Sequence, residues 1–534
     1  MSDTDMEKKE PTFEFTKKVS QENNGLAEKA RKGIKEARSI STWQALWTHR
    51  KAVFWTWAIS WAIIMEAYDD SLISSVYGYS TFAKKYGRYY PKIKEYQIPA
   101  RWQTGLSMAS PVGEIIGLLI NGLLVERYGY KKVIMPCYFL ATGFIFIVFF
   151  APNIHVLLAG EILCTIIWGL LGGIAPGYAA EMCPTVLRGY LTMYVNFTFT
   201  IGHFIKAGVL CGFSKNTTEW SYRIPFALQW VWPIPLALVT YFAPESPWWL
   251  IRRGRPEEAK QTLLKLRNED ESEEVENEVA MMIHSDLRNQ NDERNYSYKD
   301  CFRGTNLRRT EIVVMVWMAQ QMVGFGGVSG SYFFEQVGFT QAKSYSFTFI
   351  GEGIALFGDV SSWFFSGIFG HRRLYTGGMY FQSIIYFVVA FLALAPQDKD
   401  GPKWAAAIIL MTQSYFYDCS IGPLAFAITS ETPTARLRNK TFAVGRSIYY
   451  ILGIVQSVAN PYMINPTQRN WKGKAAFLPA ILSAMWGTWC LFRLPETRAR
   501  TFEELDVMFE NKVPTRSFRT YDTDDALFGD EIEP

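Results

Sequence analysis

Apolar residues collect in twelve long stretches along the chain, and most charged residues lie between these stretches. Each stretch holds about 20 mostly apolar residues, the length that an α-helix needs to cross the hydrocarbon core of a bilayer. The pattern therefore predicts an all-α membrane protein with twelve transmembrane helices. The predicted spans 1 to 12 cover residues 52–74, 103–125, 132–151, 156–179, 190–212, 224–243, 311–333, 347–369, 374–395, 404–429, 441–463 and 475–494.

Two polar segments between the spans occur twice, 250 or 251 positions apart. A duplicated multi-span unit is typical of secondary transporters built from two related halves. We therefore predict two pseudo-symmetric six-helix halves, the first at residues 51–243 and the second at residues 311–495. The repeated segments are Glu181–Arg188 with Glu431–Arg438, and Pro244-Glu245 with Pro495-Glu496.

The chain outside these halves is polar. Residues 1–50 are predicted to be a disordered, charged tail, and a polar start of this length does not fit a cleaved signal peptide. Residues 244–310 are predicted to link the halves, and their segments 256–267 and 272–287 have the pattern of short surface helices. Residues 496–534 are predicted to form a second tail on the same side of the membrane as residues 1–50.

Composition agrees with this class and argues against others. Charged residues make up 19% of the 534 residues, whereas an average soluble domain has about 25%. The net charge of +4 does not indicate nucleic-acid binding, because the basic residues are dispersed at the span ends. The seven cysteines fit neither a zinc site nor a disulfide framework. Without a phosphate loop, a metal-ligand spacing or a catalytic triad, the sequence predicts neither an enzyme nor a cofactor.

Lysine and arginine are concentrated in loops on one side of the predicted spans. Short loops rich in these residues face the cytoplasm, and an even number of spans puts both termini on that side. Both termini are therefore predicted to be cytoplasmic, although the basic loop at 75–102 must then face outward. Asn216-Thr217-Thr218 lies in an outward loop under this topology, so Asn216 is a candidate glycosylation site.

The charges of the repeated segments predict a latch at the cytoplasmic span ends. Opposite charges there can pair between helices in one conformation and separate in another. Simple anchoring of charges at the membrane interface is the alternative, and repetition in both halves favours the latch. The predicted latch comprises Arg127, Glu181, Arg188, Glu245, Glu431 and Arg438.

Ionisable residues inside the spans point to function, since each costs roughly 2.5–3.5 kcal/mol at mid-membrane. Glu66 and Asp69 are three residues apart and so share a helix face, and Glu114 lies midway along span 2. A carboxylate whose protonation depends on which side of the protein is open can carry a proton with a cargo. A static buried salt-bridge cluster is the alternative. Further such residues are Asp70, Glu161, His203, Lys206, Glu352, Asp359, Asp418 and Arg446.

The chain resembles the sugar porter family of the major facilitator superfamily over about residues 40–515. The motifs that carry this resemblance are Pro244–Leu250 with Gly254-Arg255, Glu181–Gly189, Gln320–Gly324, and Pro495-Glu496-Thr497 with Arg500-Thr501-Phe502. A narrower resemblance links the chain to the fungal maltose and α-glucoside permeases. It rests on Met65–Asp69, Gly113–Gly117, Ala159–Cys164, Pro225–Trp230 and Leu437–Thr441 leading to Arg446.

The narrower resemblance implies proton coupling, because four of the buried charges match positions tied to it in those permeases. Many other proton-linked sugar porters have an arginine on span 4 at the place of Glu161. Arg446 is therefore the expected cation of the cluster, with Lys206 or His203 as the second choice. The proton-coupling candidates are Glu66, Asp69, Glu114, Glu161 and Arg446.

The resemblance also implies a sugar site in a cavity between the two halves. His203 stands where the family usually has a sugar-contacting glutamine, and Phe426 lies on span 10 where a tryptophan is common. Glycines after Gln321 predict a break in span 7, followed by two aromatic residues that could gate the site. The sugar-binding candidates are His203, Gln320, Gln321, Tyr332, Phe333 and Phe426.

The function that the resemblance implies is uptake of a di- or oligosaccharide with a proton, by alternating access in a fungal plasma membrane. The sugar, protons and the lipid bilayer are the expected partners, and a monomer is the expected state. One alternative is another cargo, such as a monosaccharide, a polyol or a secondary metabolite. The others are a uniporter without proton coupling and a sugar-sensing receptor with little transport.

Overall fold

The structure, a computed structural model, has a helix at each of the twelve predicted spans. Two halves of six spans each follow one another along the chain, as the repeated segments predicted. The structure describes residues 25, 28–29, 31–33, 41–70, 72–77, 79–91, 95–213, 216, 218–267, 272–290, 297–325, 334, 338–395, 400–464, 469 and 471–523.

The first half contains spans 1 to 6, and its first and last spans are divided. Span 1 is interrupted at Trp61, and span 6 contains a 3-10 turn, Gln229–Val231, shortly before Pro233. Proline has no N–H to donate to a preceding helical turn, which explains the second interruption. The helices are Arg50–Ser60 and Ala62–Asp69 (span 1), Ala100–Tyr128 (span 2), Tyr130–Phe149 (span 3), Ile154–Met182 (span 4), Thr185–Phe213 (span 5), and Trp220–Leu228 and Pro233–Phe242 (span 6).

The loop after span 1 contains structure that the sequence analysis did not predict. Two short helices, Leu72–Val76 and Ser80–Tyr86, lead into an antiparallel hairpin of Arg88–Tyr90 and Glu95–Gln97. The hairpin pairs Tyr89 with Tyr96, whose rings pack together on the surface. The described part of the basic loop is therefore folded.

The second half contains spans 7 to 12. A 3-10 turn, Lys472–Ala476, precedes the last span. The helices are Gly304–Val323 (span 7), Gln341–Phe369 (span 8), His371–Leu392 (span 9), Asp400–Glu431 (span 10), Arg438–Ile464 (span 11) and Phe477–Arg493 (span 12).

Within the part of the chain that is described, seven helices are long and apolar enough to cross a membrane by composition alone. They correspond to spans 2, 3, 4, 6, 9, 11 and 12. Of the other five, span 1 is divided at Trp61 into two short helices, and spans 5, 7, 8 and 10 supply polar side chains to a cavity between the halves. Large apolar side chains such as Phe139, Ile234 and Phe357 cover the outer surface of the spans, as contact with lipid requires.

Several short helices cover one end of the bundle. We call this end, which carries residues 41–49 and 494–523, the terminal face, and the other end the opposite face. Linker helices Pro256–Leu266 and Ser272–Gln290 lie at the two segments that were predicted to be helical. A third linker helix, Pro247–Arg252, was not predicted. Apolar side chains of all three linker helices, Trp248 among them, form one cluster with Phe502 of the C-terminal segment. The linker and the C-terminal segment therefore form one cap.

The prediction of a disordered tail through residue 50 is wrong for its last part. Residues Thr42–Thr48 form a helix, because the Ser41 hydroxyl accepts the N–H of Gln44 at 3.3 Å and Ala45 packs into the protein. The C-terminal segment is also folded. Helix Phe502–Glu510 begins with a capping box of Thr501 and Glu504 and is buried over almost its whole length.

Candidate functional site

A cavity of about 450 Å³ lies between the two halves and is lined by spans 1, 2, 5, 7, 8, 9, 10 and 11. Phe426 and Arg446 mark its inner end, whereas Phe347 and Gln456 lie nearer the opposite-face ends of their spans. The cavity therefore extends from mid-membrane toward the opposite face. Its volume lies within the usual range of roughly 300–1,000 Å³ for small-molecule sites.

Four of the six predicted sugar-binding residues line this cavity: His203, Gln320, Gln321 and Phe426. Tyr332 and Phe333 lie outside the described residues. The Nε2 of Gln320 donates to the carbonyl oxygen of Gly422 at 3.4 Å, and its buried Oε1 has no hydrogen-bond partner within the described part of the chain. Gln320 can thus accept a hydrogen bond from a hydroxyl in the cavity.

Gln321 is paired with a residue that the sequence analysis missed. Its Nε2 donates to Oε1 of Gln456 at 3.1 Å, and Nε2 of Gln456 donates back to the Gln321 carbonyl at 2.6 Å. Gln456 lies near the opposite-face end of span 11. In the sequence it is only one polar residue among apolar ones, so no pattern singled it out. The pair joins spans 7 and 11 at the cavity wall.

Arg446 lies among aromatic rings. Its guanidinium carbon is 4.4 Å from the ring centres of both Trp317 and Tyr449, and 5.4 Å from that of Phe426. No ion pair of the described residues includes Arg446, so cation–π contacts hold its charge in this conformation. Arg446, which was expected to pair directly with the carboxylates, therefore lies on the aromatic side of the cavity instead.

Tyr450 connects the arginine to the acidic residues of the first half. Its hydroxyl donates to Oε1 of Glu66 at 3.2 Å, and its ring centre is 5.1 Å from the Arg446 guanidinium. Glu114 lies beside this contact and accepts a hydrogen bond from Ser110 at 3.1 Å. A residue of span 11 therefore touches the first-half carboxylate that was predicted to couple protons.

Glu66 and Asp69 lie on one face of span 1 and both contact span 4. Asp69 accepts hydrogen bonds from the indole of Trp168, at 2.6 Å, and from the amide of Gln229. A Cβ at Gly172 would lie 2.5 Å from Glu66 Oε2, so glycine is needed there for Glu66 to approach span 4.

The predicted carboxylates are buried, and three of them are incompletely bonded. Glu66, Asp69, Glu114 and Glu161 are all at most 3% exposed. The Oε2 atoms of Glu66, Glu114 and Glu161 have no hydrogen-bond partner within the described ranges. An ionised oxygen in such a place lacks compensation, so the arrangement can bind protons.

The two second-choice cations lie near Asp70 instead of Asp69. His203 Nε2 is 3.7 Å from Asp70 Oδ2, and Lys206 donates to the backbone carbonyls of Ala67 and Asp70. Span 1 ends at this point, and the ends of helices leave carbonyl oxygens without helical partners. Lys206 therefore caps the end of span 1.

Charged residues at the terminal face pair across the two halves. Glu181 of span 4 accepts from Arg252 at 2.9 Å and from Arg438 of span 11 at 3.1 Å. Glu431 pairs within the second half instead, 3.3 Å from Nδ1 of His371 of span 9. The packing therefore joins the first segment's glutamate to the second segment's arginine, a pair between helices of the two halves.

Phe502 completes this contact from the C-terminal segment. Its ring lies 3.5 Å from the guanidinium carbon of Arg188 and 3.8 Å from that of Arg438. Trp248 of the linker packs edge-on against the same ring. One phenylalanine is thus held between arginines of both halves.

Arg127 does not belong to the latch, contrary to the sequence prediction. Its side chain is exposed and lies over the neighbouring Tyr128 ring. Glu126, one position earlier, pairs with Lys440 of span 11 instead. Successive side chains on a helix point about 100° apart, so a shift of one residue moves the charge from the surface to the interface between halves.

The two Pro-Glu segments have the same role in each half. Glu245 accepts the backbone N–H groups of Tyr130 and Lys131 at 3.0 and 3.2 Å, at the start of span 3. Glu496 accepts those of His371 and Arg372 at 3.0 and 3.3 Å, at the start of span 9. Burial raises the pKa of Glu245, while the backbone donors oppose that shift. Each carboxylate caps a helix N-terminus.

Two glycines make this capping possible. Gly129 and Gly370 precede spans 3 and 9 with φ angles of 87° and 82°, a region that favours glycine. A Cβ at either position would lie 2.7 or 2.6 Å from the capping carboxylate. The repeated Pro-Glu segments therefore make the same helix-capping contact in each half.

Residues 54–509 match the family described as "Sugar (and other) transporter". The chain belongs to this family. It is 33% identical over 517 residues to an α-glucoside permease of Saccharomyces cerevisiae, which covers 95% of this chain and 85% of that protein. It is also 33% identical over 512 residues to a maltose permease of the same yeast, covering 93% and 83% of the two chains.

Solved structures support the fold of this sugar transporter family member. The proton:xylose symporter XylE of the major facilitator superfamily, bound to 6-bromo-6-deoxy-D-glucose, matches with a TM-score of 0.74 at 19% identity. The match covers 86% of this chain and all of that one. An inward-open structure of XylE from E. coli matches with a TM-score of 0.61 at 19% identity, covering 85% and 98%. The predicted twelve-helix fold is confirmed, and the protein is a multi-pass membrane transporter and not an enzyme.

Proposed function

We propose that this transporter takes up a di- or oligosaccharide of the α-glucoside class together with a proton. The observation that carries the proposal is the placement of Glu66, buried and incompletely bonded, beside a cavity lined by amides and aromatic rings. Amides recognise sugar hydroxyls, and aromatic rings recognise the apolar faces of sugars. The α-glucoside and maltose permeases among its relatives support this class of cargo.

Alternating access accounts for the contacts between the halves. At the terminal face the halves are joined by Glu181–Arg438 and Glu126–Lys440, while the cavity extends toward the opposite face. Rocking of one half against the other would break these pairs and open the cavity at the terminal face. We infer that the conformation described here is the one that accepts cargo from the opposite face.

An uptake assay in yeast that lacks its own α-glucoside permeases tests the proposal. Labelled maltose and trehalose are offered beside glucose and sorbitol, and external pH is recorded. We expect at least one α-glucoside to accumulate while the medium becomes more alkaline. Uptake of only glucose or sorbitol would replace the proposed cargo by another small molecule. Accumulation without any proton movement would favour a uniporter.

We further propose that the terminal face lies in the cytoplasm of a plasma-membrane protein. The loops and span ends at this face carry many arginines and lysines, which cytoplasmic loops favour. They include Lys131, Lys132, Arg252, Arg253, Arg372, Arg373, Arg436 and Arg498. Uptake of an external sugar then requires the opposite face to be outside.

Glycosylation at Asn216 is expected under this orientation. The residue is exposed at the opposite face, and its Oδ1 accepts the N–H and the hydroxyl of Thr218 at 2.9 and 2.8 Å. Asn216→Gln should remove the mobility shift that an endoglycosidase produces in the wild-type protein from yeast. The control, Asn439→Gln, changes a sequon at the terminal face and should leave the shift intact. A glycan on Asn439 would reverse the proposed orientation.

A further inference from the structure

Asp359 and Asp418 form a carboxylate pair that is separate from the acidic residues of the first half. Asp359 of span 8 is 1% exposed and Asp418 of span 10 is 9% exposed. The Nδ2 of Asn196, on span 5, donates to Oδ1 of Asp359 at 2.8 Å and to Oδ1 of Asp418 at 3.1 Å. Since both hydrogen bonds come from one nitrogen, the two carboxyl groups lie side by side.

The pair has no cationic partner in the part of the chain that the structure describes. None of the ion pairs among the described residues includes Asp359 or Asp418. Lys206, further along span 5, interacts instead with Glu352 and with the backbone at the end of span 1. The groups that face the pair are Glu352 of span 8, Tyr417 and Cys419 of span 10, and the neutral Asn196 and Thr200 of span 5.

One oxygen of the pair is buried, and its nearest neighbours include the Thr200 hydroxyl. Oδ2 of Asp359 has no hydrogen-bond partner within the described residues. The hydroxyl of Thr200, which faces Asp359, donates at 3.2 Å to the carbonyl oxygen of Asn196. Two adjacent carboxylates without a cation cannot both be ionised at low cost, and sharing one proton relieves this repulsion.

Gly422 keeps the pair and the amide together. A Cβ at this position would lie 2.9 Å from Oδ1 of Asp418 and 3.0 Å from Nδ2 of Asn196. Any other residue would press on the hydrogen bond between them. Glycine at position 422 of span 10 therefore leaves room for the Asn196 amide of the first half to approach Asp418 of the second half.

We propose that Asp359 and Asp418 are a second proton-binding site, bridged to the first half by Asn196. Asp418 lines the central cavity, so a hydronium ion there can deliver a proton to its carboxylate and remain as water. Asn196 belongs to the first half, so rocking of the halves withdraws both of its donated hydrogen bonds. Hydrogen bonds to the ionised form favour that form, and their loss makes the pair hold its proton more firmly. Proton binding here therefore depends on the conformation.

This inference extends the proton coupling of the proposed function, but its test needs no cargo. The full-length purified protein in lipid nanodiscs is titrated with acid and alkali, and infrared spectra record the carbonyl stretch of protonated carboxyl groups. Asp359→Asn and Asp418→Asn are each expected to remove one protonated-carboxyl band that the wild type shows. Glu352→Gln is the matched control, since it removes a carboxyl at the same cavity that is not bonded to Asn196. The band should remain, although it should disappear at a lower pH than in the wild type because one negative neighbour of the pair is gone.

A third variant covers the case in which the aspartate variants fail to fold. Asn196→Ala keeps both carboxyl groups and removes the donor, so the band should persist to higher pH than in the wild type. Spectra of the aspartate variants that equal the wild-type spectrum at every pH would overturn the proposal. An unshifted band in a folded Asn196→Ala protein would also overturn it. Failure of sugar uptake is a separate result, because these spectra are recorded without sugar.

Discussion

Replacing Glu66 by glutamine is expected to abolish concentrative uptake and to leave exchange intact. Glutamine keeps the shape of the side chain and can still accept the hydrogen bond from Tyr450, which is 3.2 Å from Glu66 Oε1. It cannot bind and release a proton. In proteoliposomes with an imposed proton gradient, the α-glucoside that passes the uptake assay should only equilibrate across the membrane. Counterflow of labelled against unlabelled sugar should continue at a rate similar to that of the wild type.

The control for this variant is Glu219→Gln. Glu219 is exposed, and its ion pair with Arg223 lies at the opposite face, away from the cavity. Loss of this charge should change neither accumulation nor counterflow. If the Glu66→Gln protein accumulates sugar as the wild type does, Glu66 is not the coupling carboxylate. If counterflow also disappears, the side chain is needed for the conformational change itself.

Glu66 is the first choice among the buried carboxylates because it touches the other half. Asp69 is already bonded to Trp168 and Gln229, which both belong to the first half. Glu66 meets Tyr450, whose ring also faces Arg446. Protonation of Glu66 can therefore alter a contact that must change when the halves rock. The Asp359–Asp418 pair has the corresponding property, since its bridging amide comes from the first half.

The fold could be predicted from the sequence because its determinants are local or repeated. Apolar stretches of about 20 residues are sufficient to predict spans. The Pro-Glu segments also repeat at matching places, and Glu245 and Glu496 cap equivalent helices after Gly129 and Gly370. The elements of the fold that were not predicted depend on tertiary packing and not on the hydrophobic pattern of the sequence. The helix Thr42–Thr48 lies in a polar segment and contributes only Ala45 to the buried interior.

The partners of the site residues could not be predicted, since they are brought together by the crossing of distant spans. Glu181 and Arg188 share one segment, yet Glu181 pairs with Arg438. Lys440 pairs with Glu126, whereas Arg127 lies exposed on the surface. The sequence identified the types of charge at each span end, and helix rotation decided which of two neighbouring residues points inward.

Glu181 connects the first half, the linker and the second half at the terminal face. Its side chain is 2% exposed and accepts hydrogen bonds from Arg252 of the linker, Arg438 of span 11 and Ser246. Removing one member of a buried pair costs about 3–5 kcal/mol, because the remaining charge is left buried without a partner. Opening of the terminal face would hydrate both arginines. The cost therefore falls on the closed conformation.

The Glu181→Gln protein is thus expected to favour the conformation that is open at the terminal face. Since about 1.4 kcal/mol corresponds to a tenfold change in an equilibrium, the shift should be on the order of a hundredfold or more. A cysteine in place of Asn439 reports it, because the Asn439 amide donates to the Tyr130 hydroxyl of the first half at 3.4 Å. In detergent-solubilised Asn439→Cys protein, maleimide labelling of the new cysteine, followed by peptide mass spectrometry, should become faster when Glu181→Gln is added. The control, Glu258→Gln, removes only an exposed pair with Arg255 and should label as slowly as the Asn439→Cys parent. Equal labelling rates in a folded Glu181→Gln protein would mean that the closed terminal face is held by other contacts, such as Phe502 between its two arginines.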